Sequence, residues 1–187
     1  MIPPRFYDGE ALQTLRRDYR ASRYPHVQIP HAFDENSAAE LRARAAEGLK
    51  PFFVADRGHY AVNARLVDAP FFEDLRMFAE RVIEAPLTVG PALWLRFVRG
   101  DYQLLRGDEM DRPERSHHIE LTLDFSAAET GQAEIVYTAA PESFVLEQWP
   151  GSVALVERGD TLSRYDRYLN QLVGEAEVWR LRLALRL

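Results

Sequence analysis

The chain has no cysteine, a single lysine (Lys50) and no apolar run that approaches the length of a bilayer. Each absence closes off a class of function. Without cysteine there is no disulfide, no thiolate nucleophile and no sulfur-ligated metal, which agrees with an expected cytoplasmic location. Its apolar stretches fall far short of the roughly 20 residues a membrane helix needs, and residues 1–7 lack the character of a signal peptide, so no membrane is expected as a partner. Basic residues number 23 against 29 acidic ones, a net charge of −6. That balance excludes general nucleic-acid affinity, because phosphate binding needs a surplus of basic side chains. No lipase-like serine elbow, phosphate loop, dinucleotide glycine fingerprint or zinc-protease helix motif is present. Since Lys50 stands alone, the cationic groups are almost all guanidiniums, which are planar, permanently charged and shaped for carboxylates and phosphates.

What is present fits one domain over residues 1–187, mainly helical over 1–90 and mainly β over 91–187. The 187 residues, 47% hydrophobic and 28% charged, suffice for a two-layer core. Asp8 opens a helical stretch that runs to Arg20. An extended segment, 24–29, follows. Asp34 reads as an N-cap for a helix from Glu35 to Glu47, stopped by Gly48, with Ala38, Leu41, Ala45 and Leu49 at helical spacing. Asp68 ahead of Pro70 starts another, whose buried stripe is Phe72, Leu75, Phe78, Ala79 and Val82. The aromatics Phe6, Tyr7, Phe52, Phe53, Tyr60, Phe71 and Phe72 crowd this half; core packing is expected of most, with a homodimer face as the alternative.

Beyond Pro91 the period changes to two, and strands are expected over 94–98, 102–108, 117–125, 133–138, 143–146, 152–157 and 179–187. Two of them alternate cleanly. Ile119, Leu121, Leu123 and Phe125 share one face, with His118, Glu120, Thr122 and Asp124 on the other. Trp179, Leu181, Leu183, Leu185 and Leu187 oppose Arg180, Arg182, Ala184 and Arg186. The oily faces need the helices as cover. The polar faces look either into solvent or into a barrel mouth. Helices first and antiparallel strands afterwards give an α+β fold with helices on one sheet face, a sandwich or an open barrel.

The order of these features resembles the 2-oxoglutarate/Fe(II) dioxygenases, and most closely their prolyl-hydroxylase-like branch. Five pieces carry the likeness: residues 24–30 with Phe33; Arg99-Gly100-Asp101-Tyr102; Thr130-Gly131-Gln132-Ala133-Glu134; Trp149-Pro150-Gly151 with residues 152–155; and Gly174 followed by Trp179-Arg180-Leu181-Arg182-Leu183. The resemblance implies a double-stranded β-helix (jelly-roll, cupin-like) core with the N-terminal helices packed on the major sheet. It also implies a closing-strand arginine that grips a cosubstrate carboxylate, and iron held by a His-x-Asp pair and a distant histidine. Counting from Gly100, the pair falls on Arg106-Gly107-Asp108, with arginine in place of histidine. Counting back ten residues from Arg180, the distal position falls near Asn170. No histidine occurs anywhere between Val153 and Leu187. Arginine neither releases a proton to bind a metal nor tolerates a cation beside it.

The expected pocket is therefore lined by Arg106, Asp108, His118, Glu120, Thr122, Asn170, Arg180 and Arg182, with the Arg106 guanidinium in place of a metal. No catalytic residue and no cofactor is expected. The expected ligand is a small anionic molecule, a peptide or a protein partner. Two alternatives stay open. A rearranged metal site of Asp108, His118 and Glu120 would serve an active Fe(II)/2-oxoglutarate oxygenase. A metal-independent enzyme would use Arg106, Asp108, Glu120 and His118 as acid–base groups.

Overall fold

The computed structural model describes residues 2–7, 9–104 and 117–187. Asp8, expected to open the first helix, lies outside them. The three helices form where spacing and caps direct. Helix α1 (Gly9–Arg20) buries Leu12, Leu15 and Tyr19, and α2 (Glu35–Ala46) buries Ala38, Leu41 and Ala45. Helix α3 (Ala69–Ile83) buries Phe71, Phe72, Leu75, Phe78, Ala79 and Val82. Asp34 and Asp68 are both N-caps: their carboxylates accept from the backbone N–H groups of Ser37 (2.8 Å) and Phe71 (3.3 Å). Asp34→Ala is expected to cost about 1 kcal/mol of stability, read as a lowered urea midpoint.

Among the described residues there are eleven strands. They are β1 (His26–Ile29), β2 (Lys50–Val54), β3 (Gly58–Asn63), β4 (Thr88–Phe97), β5 (Tyr102–Gln103), β6 (His118–Asp124), β7 (Ile135–Ala139), β8 (Glu142–Leu146), β9 (Ser152–Arg158), β10 (Ser163–Asp166) and β11 (Val178–Arg186). All described pairings are antiparallel, in the order β1-β9-β6-β11-β4-β3-β5-β10-β7-β8, with β2 on β3. Strand β3 pairs both β4 and β5, so it joins a major wall (β1, β9, β6, β11, β4) to a minor wall (β5, β10, β7, β8). The sheet thereby curls over on itself, a nearly closed double-stranded β-helix.

The outer face of the major wall carries the helices. Ile119, Leu121, Leu123, Val153, Leu155, Leu181, Leu183 and Leu185 form one buried cluster with Leu41, Phe71, Phe72, Phe78 and Trp94. Burying a side chain of this size contributes about 1.5–3 kcal/mol, which is why the odd-numbered positions of β6 and β11 face the helices. At the turn into β9, Gly151 has φ +76°, and a Cβ there would lie 2.6 Å from the Phe33 carbonyl oxygen. Glycine alone admits both that backbone and that approach. Among the described residues, no helix is long and apolar enough to cross a membrane.

Two segments depart from expectation. Residues 50–63 form the β2–β3 hairpin within the half read as helical, and residues 163–166 form β10, which is absent from the set of expected strands. The hairpin is masked by Pro51 and by exposure of both faces of β2. Strand β10 is masked because its inward positions are charged.

Candidate functional site

Because the leucines of β6 and β11 take the helix side, their even-numbered neighbours are forced into the space between the two walls. Register sets the encounters: Arg180 lies opposite Asp124, Arg182 opposite Thr122 and Ala184 opposite Glu120. The same parity on β9 sends Arg158 inward, and the minor wall answers with Tyr137 from β7 and Arg164 and Asp166 from β10. The choice the sequence leaves for the polar faces, solvent or barrel, is resolved in favour of the barrel.

Two ion clusters result. In the first, Glu120 accepts from the Tyr137 hydroxyl (2.5 Å), Arg158 (2.9 Å) and Arg164 (2.8 Å). Glu120 is 0% exposed. Burial pushes its carboxyl up, but Arg158, Arg182 and the Tyr137 hydroxyl outweigh that and hold it below the ordinary carboxylate value. Tyr137 is driven well above the usual phenol range, by burial first and by the Glu120 charge second. Burial and the neighbouring charge of Arg182 push Arg164 down, yet its contact with an ionised Glu120 and the intrinsic basicity of guanidinium keep it a cation.

In the second cluster Asp166 takes one hydrogen bond from Arg180 and two from Arg182, each 2.5 Å long. Each arginine has a further anchor: Arg180 donates to the Ala133 carbonyl, and Arg182 donates to the Gln103 side-chain oxygen. Burial raises the Asp166 carboxyl, but Arg182, Arg180 and Arg164 together hold it below its ordinary value. Asp124 goes the other way. Burial raises its carboxyl, and Arg180, whose Nε is 3.7 Å away, only partly offsets this. A void of about 10 Å³ beside Thr122, Asp124 and Arg180 has room for about one water molecule.

The expected pocket residues are thus brought together in part. Glu120, Thr122, Arg180 and Arg182 face the barrel interior, and His118 is half-buried at the outer end of the same strand face. Asn170 is not with them. It sits in the turn between β10 and β11, where its side chain accepts from the Leu172 N–H (2.8 Å) and caps a 3-10 turn, Gln171–Val173. The strand that precedes this turn, β10, is the one whose Arg164 and Asp166 reach inside. Arg106 and Asp108 lie outside the described residues. Arg158, Arg164 and Tyr137 were not anticipated, and Asp166 was not placed among the pocket residues. For Arg158 a signal existed: it shares parity with Ala154 and Val156, opposite Val153 and Leu155.

Comparison with known proteins extends this picture. No family model matches the chain, and no curated protein matches it. Solved structures do. A 2OG-Fe(II) oxygenase family oxidoreductase from Burkholderia pseudomallei superposes with TM-score 0.71 at 14% identity, over 96% of this chain and 92% of that one. A Pseudomonas putida prolyl-4-hydroxylase gives 0.64 at 14% identity, over 94% and 98%. HygX from Streptomyces hygroscopicus, with nickel and 2-oxoglutarate bound, gives 0.62 at 12% identity, over 96% and 87%.

These findings correct one expectation. The sequence reading expected no cofactor, with Fe(II) and 2-oxoglutarate as the alternative, whereas one protein that shares this fold is named a 2OG-Fe(II) oxygenase and another, HygX, holds 2-oxoglutarate with nickel. The fold therefore points to those cofactors. The residues described here do not match that indication. Among them no group of three or more His, Cys, Asp or Glu is placed to hold a metal ion, and the two closing-strand arginines already hold a carboxylate, that of Asp166. The disagreement concerns side chains and leaves the backbone architecture untouched: the chain carries the double-stranded β-helix fold of the 2-oxoglutarate/Fe(II) oxygenases, prolyl hydroxylases among them.

Proposed function

We propose that the chain is a catalytically silent oxygenase-like protein that acts by binding a small anionic molecule, a peptide or a protein partner. One observation carries the reading: Arg180 and Arg182 are committed to Asp166, a carboxylate of the chain itself. An oxygenase of this fold needs a carboxylate-gripping arginine to be available to an incoming cosubstrate. Here that service is rendered internally, and Glu120 is saturated by Tyr137, Arg158 and Arg164. "Silent" refers to oxidative turnover; binding of 2-oxoglutarate or of a metal ion is a separate property, measured on the same sample.

The comparisons favour a second reading, a 2-oxoglutarate-dependent oxygenase, because the neighbours bear that name. One experiment decides between the two. Protein purified without oxygen is analysed for metal, then supplied with Fe(II), ascorbate, 2-oxoglutarate and air, and succinate is followed. The expected result is succinate at the level of the protein-free blank. Succinate formed in amounts that scale with protein and need added Fe(II) would establish the second reading instead.

A further inference from the structure

We infer that Asp166 is a resident ligand: its carboxylate fills a built seat for one small carboxylate, formed by Arg180 and Arg182, and that seat takes up formate from solution once the side chain is cut back. Three features of the geometry support this. Two guanidiniums from alternate positions of one strand converge on a single carboxylate, and Arg182 engages both of its oxygens. Planar forks of this kind recognise carboxylates in general, not aspartate in particular.

The seat is also held open by groups other than its occupant. Arg180 is anchored on the Ala133 carbonyl and lies 3.7 Å from Asp124, while Arg182 is anchored on Gln103. With both arginines fixed from behind, loss of the Asp166 carboxylate need not let them collapse together, and preorganised donors bind at low entropic cost. Finally, the backbone of Asp166 is pinned independently of its side chain. It pairs with Ile135 of β7 and with Gln103 of β5, so truncation at Cβ empties the seat without releasing the strand. What Asp166→Ala removes is one carboxylate group, the size of a formate ion. The seat is buried, with Asp166, Arg180 and Arg182 exposed by 3%, 2% and 0%. It therefore discriminates by size, and larger acids bind less well than formate.

The test is rescue of folding and involves neither iron nor turnover, so its outcome is separate from that of the succinate experiment. Melting temperatures of native protein and of Asp166→Ala are measured in sodium formate, sodium acetate and sodium chloride at matched ionic strength. Formate is expected to raise the melting point of Asp166→Ala saturably, by about 3–6 °C at ten times its Kd. Acetate should give less, and chloride no saturable gain. Native protein and the double variant Asp166→Ala/Arg182→Ala should show no formate-specific change. If Asp166→Ala does not fold in chloride, its refolding yield from urea in formate against chloride reads the same event, with higher yield in formate expected. Equal effects of formate and chloride on the variant, or a formate gain of the same size in native protein, would overturn the inference.

Discussion

Glu120→Ala is expected to destabilise the protein by about 3–5 kcal/mol, the usual cost of removing one partner from a buried ion cluster. In a chain of this length that is a fall in melting temperature of roughly 6–20 °C. The reasoning starts from what the substitution leaves behind. Arg158 and Arg164, 5% and 1% exposed, each lose the carboxylate they contact, and the Tyr137 hydroxyl loses its acceptor. Two cations then face one another in a medium that solvates them poorly. An exposed pair provides the control. Arg23 and Glu142 are 2.9 Å apart at the surface, and Glu142→Ala is expected to cost no more than about 1 kcal/mol. Thermal melts of the two variants side by side check the contrast. Losses of similar size at both sites would mean that the interior cluster is hydrated like the surface, and the account given for it would fail.

That cost does not mean the cluster was built for stability. Well-packed apolar residues often match or exceed a buried ion pair, and apolar clusters flank the ionic one here: Leu93, Leu95, Phe97 and Val178 in one, Ile135, Tyr137, Ala154 and Val156 in the other. What the ions provide is geometry. Arg164 of β10 reaches across to Glu120 of β6, and Arg180 and Arg182 of β11 reach across to Asp166 of β10, while Arg158 ties β9 to Glu120 within the major wall. A slip of one residue in β10 would swing Arg164 and Asp166 out of the barrel, taking one guanidinium from Glu120 and the shared carboxylate from Arg180 and Arg182. The network thereby specifies the register between the two walls.

The same property explains how far the fold could be read from the residues. Where burial of leucine dictates a face, the pattern is plain: β6 and β11 show unbroken alternation, and Asp34 and Asp68 announce their helices. Where charge is buried, the pattern inverts and the reading stops. Ser163-Arg164-Tyr165-Asp166 looks like a solvated loop because nothing local reveals that Arg164 and Asp166 meet partners on β6 and β11. Alternation put Glu120 and Thr122 on one polar face and Arg180 and Arg182 on another, and it was the family resemblance that turned those faces inward. Their partners were not legible, because long-range ion pairing leaves no trace in spacing. Asn170, reached by counting back from Arg180, stands in the turn between β10 and β11 as the cap of a 3-10 turn.

Acid should unfold the protein through the same groups. Glu120 and Asp166 both have carboxyls held below their ordinary values in the folded chain, despite burial, by the arginines around them. Their contribution to stability is complete above the unfolded-state pKa of about 4. As pH falls through that value the unfolded chain gains protons first, so the contribution shrinks, and it is gone once the folded carboxyls protonate too. Asp124 opposes this. Burial raises its carboxyl above the unfolded value, so what it contributes is present below that value and is lost as pH rises through the folded pKa. Among the described residues Asp34, Glu80 and Glu84 are held low as well, and Asp101 is raised beside Asp124; the depressed carboxylates outnumber the raised ones, so acid loss dominates, steepening as pH falls below about 5. The measurement is the urea midpoint between pH 7 and pH 3 for native protein, Glu120→Gln and Asp166→Asn. Each variant starts lower at pH 7 and is expected to lose less on acidification, because the group whose protonation drives the loss is absent. Parallel pH profiles for all three proteins would show that both carboxyls titrate alike in the folded and the unfolded chain, and the pairing drawn between these acids and their arginines would have to be abandoned.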